Sequence, residues 1–188
     1  MVALQIAAGA GWELVVADIE TAFLQGKPLK RESGKLYARP PKEGWPGQRG
    51  NVIVELLKAV YGLCDGPLQF FRSLVDIFLE LGLQQSVLDP CLFFYREKGE
   101  LAGLIGTEVD DLIVAGTTSF NTKVLEPLRK RLVFGKWSSS KAPEGVKFCG
   151  RRVRQQKDFL STSTRSTTQQ TYVRLRWKGV DEKRSKQC

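Results

Sequence analysis

Three aspartates stand where carboxylates are out of place. Asp18 closes the apolar run Leu14-Val15-Val16-Ala17, and Asp110-Asp111 separates two apolar arms, Leu101 to Val109 and Leu112 to Gly116. A carboxylate set among Val, Ile and Leu is costly to desolvate, and a divalent cation is the strongest compensator for it. Aspartate oxygens are hard donors, suited to magnesium, which keeps coordination sites open for substrate phosphates. Two such ions, about 3.5 to 4 Å apart, can activate an attacking 3′-hydroxyl and stabilise a leaving pyrophosphate. The chemistry would be nucleotidyl transfer. The plainer reading is that an Asp-Asp pair between strands is a solvated turn and that a lone Asp at a strand end is a helix cap or surface group. Spacing alone favours the plainer reading.

The rest of the composition narrows the alternatives. With no histidine in 188 residues, a Ser-His-Asp triad, a Cys-His pair and a histidine-liganded zinc site are excluded. Cys64, Cys91, Cys149 and Cys188 are too far apart in sequence for a CxxC knuckle and are expected to be free thiols. No run approaches the roughly 20 apolar residues of a membrane span, and the N-terminus lacks the positive segment of a signal peptide. An intracellular protein that does not contact membranes is expected. The net charge is +9, but residues 151–188 hold 11 basic and 3 acidic residues, which leaves 18 against 17 for residues 1–150. The basicity sits in the tail, so the total by itself says little about partners.

The elements that must position the aspartates follow from pattern. Residues 12–24 read as a buried strand turning into a short helix, with Asp18 at the strand's end. Residues 27–50, rich in Pro, Gly, Lys and Arg, read as a loop or loose hairpin, and residues 51–58 as a short strand. Leu68, Phe71, Leu74, Val75, Phe78 and Leu79 recur at helical steps, which predicts an amphipathic helix from Pro67 to Leu81, ended by Gly82. Leu92-Phe93-Phe94-Tyr95 reads as a strand, and the arms around Asp110-Asp111 read as a hairpin with acids at its tip. A second helix is expected over 121–134, started or kinked by Pro127, and another strand over 148–154. From Leu160 onward the chain is Ser, Thr, Gln and Arg rich and is expected to be mostly irregular.

Six blocks in order then point to a family. Val16-Ala17-Asp18-Ile19-Glu20-Thr21-Ala22-Phe23-Leu24-Gln25-Gly26 resembles the first catalytic motif of copia-type retrotransposon reverse transcriptases. Leu36-Tyr37 with Pro40, Pro41 and Gly44, then Lys58-Ala59-Val60-Tyr61-Gly62-Leu63, resemble two further blocks. Gly82, Ser86 and Asp89-Pro90-Cys91-Leu92-Phe93 follow, then Val109-Asp110-Asp111-Leu112-Ile113-Val114-Ala115-Gly116, similar to the family's Tyr-Val-Asp-Asp hairpin. Phe148-Cys149-Gly150-Arg151-Arg152-Val153 is similar to its Phe-Leu-Gly-Ile-Glu-Val. The likeness covers roughly residues 10–163.

The resemblance implies an RNA-directed DNA polymerase with an α+β fold: a polymerase palm, a small antiparallel sheet backed by helices, with part of the fingers and no thumb. It implies a domain over 1–163 and a basic tail, disordered in expectation, over 164–188. By position, Asp18 and Asp110 would bind two Mg2+ ions, with Asp111 as their acidic neighbour. Phe23 would pack against the incoming sugar, and Tyr61, Gly62 and Leu63 would lie beside nucleotide and template. The implied partners are an RNA template, a DNA primer and deoxynucleoside triphosphates, with ribonuclease H and the remaining lobes in the same polyprotein.

The chain also departs from the family. Glu108 replaces the aromatic before Val-Asp-Asp and adds a further acid at the hairpin. Gly62-Leu63-Cys64-Asp65-Gly66-Pro67-Leu68-Gln69-Phe70 stands for Gly-Leu-Lys-Gln-Ala-Pro-Arg-x-Trp, so the Lys, Gln and Arg that would meet template or nucleotide are lost and an acid takes the Gln position. Three readings therefore remain: a working polymerase core, a catalytically inactive remnant, and a protein that binds nucleic acid through its basic tail.

Overall fold

The computed structural model describes residues 2–31, 33–41, 43, 52–155, 160–164 and 171–173. In chain order its elements are α1 (Val2–Gly9), β1 (Val15–Ile19), α2 (Ala22–Gln25), β2 (Tyr37–Ala38), β3 (Val54–Glu55), α3 (Gly66–Glu80), β4 (Gln84–Gln85), β5 (Leu92–Glu97), β6 (Glu100–Glu108) and β7 (Asp111–Gly116). There follow α4 (Thr118–Phe120), a π-helical turn (Asn121–Leu125), α5 (Glu126–Arg131), β8 (Phe134–Ser139), β9 (Val146–Phe148), β10 (Arg151–Gln155), β11 (Leu160–Thr164) and β12 (Thr171–Val173).

The main sheet has six strands in the order β4-β5-β6-β7-β1-β8, and every pairing in it is antiparallel. Because side chains alternate across a strand, the sheet carries two apolar faces. Ala17, Ile19, Ile105, Leu112 and Val114 face α3 and the α4–α5 helical run, forming one core with Phe70, Leu74, Phe78, Phe93 and Phe120. Leu14, Val16, Leu104, Ile113 and Ala115 form the other with Ala7 of α1 and Val146 and Val153 of the β9–β10 hairpin. A sheet buried on both faces explains why its strands read as continuous apolar runs.

The expected α+β class and antiparallel sheet are present, and the helix predicted over 67–81 is α3, with Pro67 in its first turn. There a missing N–H goes unnoticed. Gly82, at φ +82°, follows its end. The acid-tipped hairpin is β6–β7. Other expectations need correction. The helix predicted over 121–134 begins at Thr118, where the Thr117 side chain accepts a bond from Phe120 N–H, and ends at Arg131. Phe134 opens a strand instead. Pro127 stands at the start of α5, and the π turn lies just before it, where the proline nitrogen can donate nothing. The strand expected over 148–154 is two strands, because Cys149 and Gly150 both have positive φ and reverse the chain. Leu160–Thr164 and Thr171–Val173, expected to be irregular, extend that hairpin into a four-stranded sheet. Residues 174–188 of the tail lie outside the described residues. Among the described residues no helix is long and apolar enough to cross a membrane. Cys64, Cys91 and Cys149 are free thiols, and Cys188 lies outside the described residues.

Candidate active site

The register of the sheet brings the aspartates together. In the β1–β7 pairing Asp18 stands opposite Asp111, and directly opposed residues point to the same face. Across β6–β7, Glu108 stands opposite Asp111, so three acids share one row. Asp110 occupies the two-residue turn with Val109, and its carbonyl accepts a 2.9 Å bond from the Ile19 N–H, which ties the tip to β1 one residue past Asp18. The crowding is electrostatically real: the Asp111 carboxyl titrates above its ordinary value, first through burial and then through the charges of Asp110, Asp18 and Glu108. Oxygen donors and excess negative charge suit a divalent cation in kind. Their arrangement is less complete, since among the described residues no three acidic or thiol side chains converge on one metal position.

The backbone around the acids is strained in two places. Val109 holds φ +54° and Thr21 φ +45°, a left-handed conformation that costs a β-branched residue roughly 1–2 kcal/mol. Such outliers persist where the surroundings over-determine them. Around Val109 the fixing contacts are the β6–β7 ladder and the Ile19–Asp110 bond. Around Thr21 they come from Gln25, whose side-chain amide donates to the Glu20 and Val133 carbonyls and accepts from the Val133 N–H at 2.7 Å.

The second group of expected site residues gathers beside α2. Phe23 is only 5% exposed, and its ring lies 4.5 Å from that of Tyr61 and 6.2 Å from that of Phe70. Tyr61 covers it from outside and is itself 64% exposed. Gly62 holds φ +96° with open space where a Cβ would be, and Leu63, half-buried, completes the turn by bonding back to Val60. Lys58 Nζ donates to the Leu24 carbonyl at 2.8 Å and so fastens this segment to α2. Phe23 is thus a core residue with the Tyr61 ring over it.

Several contacts of consequence carried no signal in the sequence. Cys149, at the turn of the β9–β10 hairpin, hydrogen-bonds Glu108; burial first, then that bond and the charges of Glu108 and Asp111, push its thiol up to about 12. The Cys91 thiol is raised as well, by burial and then by Asp89 and Glu108. Glu108, though exposed, therefore links the β6–β7 hairpin to the β9–β10 turn through Cys149. Gly135 in β8 leaves room for Asp18: a Cβ there would come within 3.0 Å of Asp18 Oδ2. Asp65, the acid in the family's Gln position, is held by Arg31 through two hydrogen bonds, and that guanidinium holds its carboxyl below the usual carboxylate range. Apart from Asp89 beside Cys91, these contacts are long-range, which is why spacing gave no hint of them.

Comparison with known proteins bears on the family. The family model described as reverse transcriptase (RNA-dependent DNA polymerase) matches residues 1–170. The chain belongs to the reverse transcriptase family. Among curated relatives it is similar to retrovirus-related Pol polyproteins from the transposons RE1 and RE2 of Arabidopsis thaliana, 29% identical over 115 residues and 26% over 131. It is also similar to that from transposon TNT 1-94 of Nicotiana tabacum, 26% identical over 113 residues. These alignments cover 61%, 69% and 60% of this chain and 8%, 9% and 8% of the polyproteins, so the reverse transcriptase segment spans less than a tenth of their length. The expected kinship with copia-type retrotransposon reverse transcriptases is met.

Proposed function

We propose that this chain is the palm of an RNA-directed DNA polymerase, in which Asp18 and Asp110 hold divalent cations and Asp111 supports them. The observation that carries the reading is the single row formed by Asp18 and Asp111, with Asp110 tied to β1 by the Ile19 bond. Magnesium bound there would lower the barrier to attack by a primer 3′-hydroxyl and offset charge on the departing pyrophosphate. Since among the described residues no three side chains make a cage by themselves, further oxygens would come from the nucleotide's own phosphates. Phe23, sealed by Tyr61, would set the wall beside the incoming sugar, with Gly62 and Leu63 letting the backbone approach the nucleotide and template. An RNA template, a DNA primer and deoxynucleoside triphosphates are the corresponding substrates, in an intracellular setting.

A second reading, a folded remnant without catalysis, is favoured by Glu108, which crowds the row with an extra acid and engages Cys149. Primer extension on an RNA template with magnesium separates the two. Extension by the unaltered chain that Asp110→Asn abolishes is the expected result; no extension by either protein would leave the remnant reading standing and the polymerase reading refuted for this chain.

A further inference from the structure

A second cluster of chemistry lies at the far edge of the main sheet, on the face away from the acids. There a cleft of about 490 Å³ is lined by Arg129, Lys130 and Arg131 at the end of α5, by Val133, and by Phe134 and Trp137 of β8. Phe134 pairs with Ile19 and Trp137 with Ala17, so both rings lie on the helix-covered face, whereas Asp18 points to the other. The rings stand 5.0 Å apart at 60°, and the Arg129 guanidinium carbon sits 3.8 Å from the indole centre.

We propose that this cleft binds single-stranded nucleic acid, with Arg129 and Lys130 on its phosphates and a base resting against Val133 and the Phe134–Trp137 pair. Cations in the last turn of a helix are ordinarily explained by the helix dipole. That explanation requires only charge at the helix end; it accounts neither for the Arg129 guanidinium seated over Trp137 nor for a cleft of nucleotide size. The contact with Trp137 holds the Arg129 guanidinium in place in advance, which reduces the ordering loss on binding. Arg131 is ion-paired to Glu80 at 2.5 Å and frames the cleft, while Lys130 makes no ion pair among the described residues. Val133, 60% exposed, adds an apolar surface beside the rings. Cations interleaved with aromatics are the combination that binds single strands without reading their sequence.

The test is fluorescence anisotropy of a labelled oligothymidylate with the full chain in EDTA, so that no metal at the acidic row contributes. The proteins compared are the unaltered chain, R129Q/K130Q, and the equally charge-reduced tail variant K183Q/R184Q. Two lost phosphate contacts should weaken binding by on the order of tenfold at moderate salt and flatten the slope of log affinity against log salt by about 1.4. The tail variant should lose less. Arg129→Lys, which keeps the charge and loses the planar stack, should fall between. Arg129 and Lys130 are exposed, and an unchanged melting temperature verifies the fold. Binding by R129Q/K130Q equal to that of the unaltered chain or of the tail variant overturns the proposal. So does equal binding of the corresponding duplex, since bases paired inside a helix cannot reach the rings.

Discussion

The two ends of the β6–β7 hairpin are built on opposite principles. At its base Gly103 and Gly116 are register partners, and the Phe120 ring occupies the slot that their missing side chains leave. A Cβ at either glycine would lie 2.3–2.4 Å from a Phe120 atom. Nearby, the β5–β6 turn uses Lys98 and Gly99, both with positive φ, as a two-residue hairpin turn prefers, and Glu97 is neutralised by Lys123. At the tip the turn is Val109-Asp110, with a β-branched residue in the left-handed region, and Glu108, Asp111 and Asp18 face one another. The base is locked by packing. The tip holds strain and like charge that the base must support, which is how a functional end is expected to differ from a structural one.

The largest effect should come from unlocking the base. Phe120 is fully buried and fills the slot over Gly103 and Gly116, so Phe120→Ala should cost about 3–5 kcal/mol in urea denaturation. A loss below about 1 kcal/mol would mean that the slot collapses and that the glycine pair is not its cause. Gly103→Ala attacks the same lock from the other side. Overpacking by one methyl should cost about 1–3 kcal/mol, and Gly103→Ala combined with Phe120→Leu should recover part of it, because the two changes act on one space.

This contrast was half legible in the sequence. The tip was legible because its acids interrupt two apolar runs, an arrangement that reads as a hairpin with acids at its turn. The base was not, because nothing in Gly103 or Gly116 announces that they will be opposite each other or that a Phe from a later helix will sit on them. Similarly, α3 was legible from its own periodicity. The end of the second helix was not, because Phe134 and Trp137 turn their rings into the helix-side core once β8 pairs with β1, a tertiary demand that overrides local helical spacing. Cys149-Gly150 reads as strand between Phe148 and Val153; only the backbone shows two positive φ angles in succession. Among the site residues, Asp18, Asp110, Asp111, Phe23 and Tyr61 sit in local motifs, whereas Gln25, Gly135 and the partner of Glu108 depend on contacts that span much of the chain.

At the tip the expected gains are smaller and of opposite sign. Thr107 is 5% exposed, and its hydroxyl has no hydrogen-bond partner among the described residues. Thr107→Val keeps the shape and removes the buried unpaired hydroxyl, so it should stabilise by about 1 kcal/mol. An equal or lower melting temperature would show that the hydroxyl is satisfied in solution. Val109→Gly relieves the left-handed valine, but glycine's larger loss of chain freedom offsets part of the gain. A net stabilisation of about 0.5 kcal/mol is expected, whereas Gly99→Ala at the other turn of β6 should destabilise. If both turns respond alike, the strain assigned to the tip is absent.

The smallest effect has the clearest sign. Asp111 titrates above its ordinary 3.8 because ionisation is opposed by burial and by three neighbouring acids. Its protonated form favours the fold, so that stabilisation is full below pH 3.8 and is lost as pH rises through the elevated value. Glu97 at the base behaves in the opposite way. The Lys123 hydrogen bond lowers its titration, so its contribution is present above the ordinary 4.5 and is lost on acidification. Asp111→Asn should therefore be more stable than the unaltered chain at neutral pH, by less than about 1 kcal/mol because the carboxylate is half-exposed and solvent screens it. The difference should shrink towards nothing as pH falls below 4. Glu97→Gln should show the reverse, a deficit at neutral pH that closes on acidification. Denaturant midpoints of both variants across this pH range give two curves that approach the unaltered chain from opposite sides. If Asp111→Asn instead lies below it at neutral pH, the row of acids is held together by something stronger than their mutual repulsion.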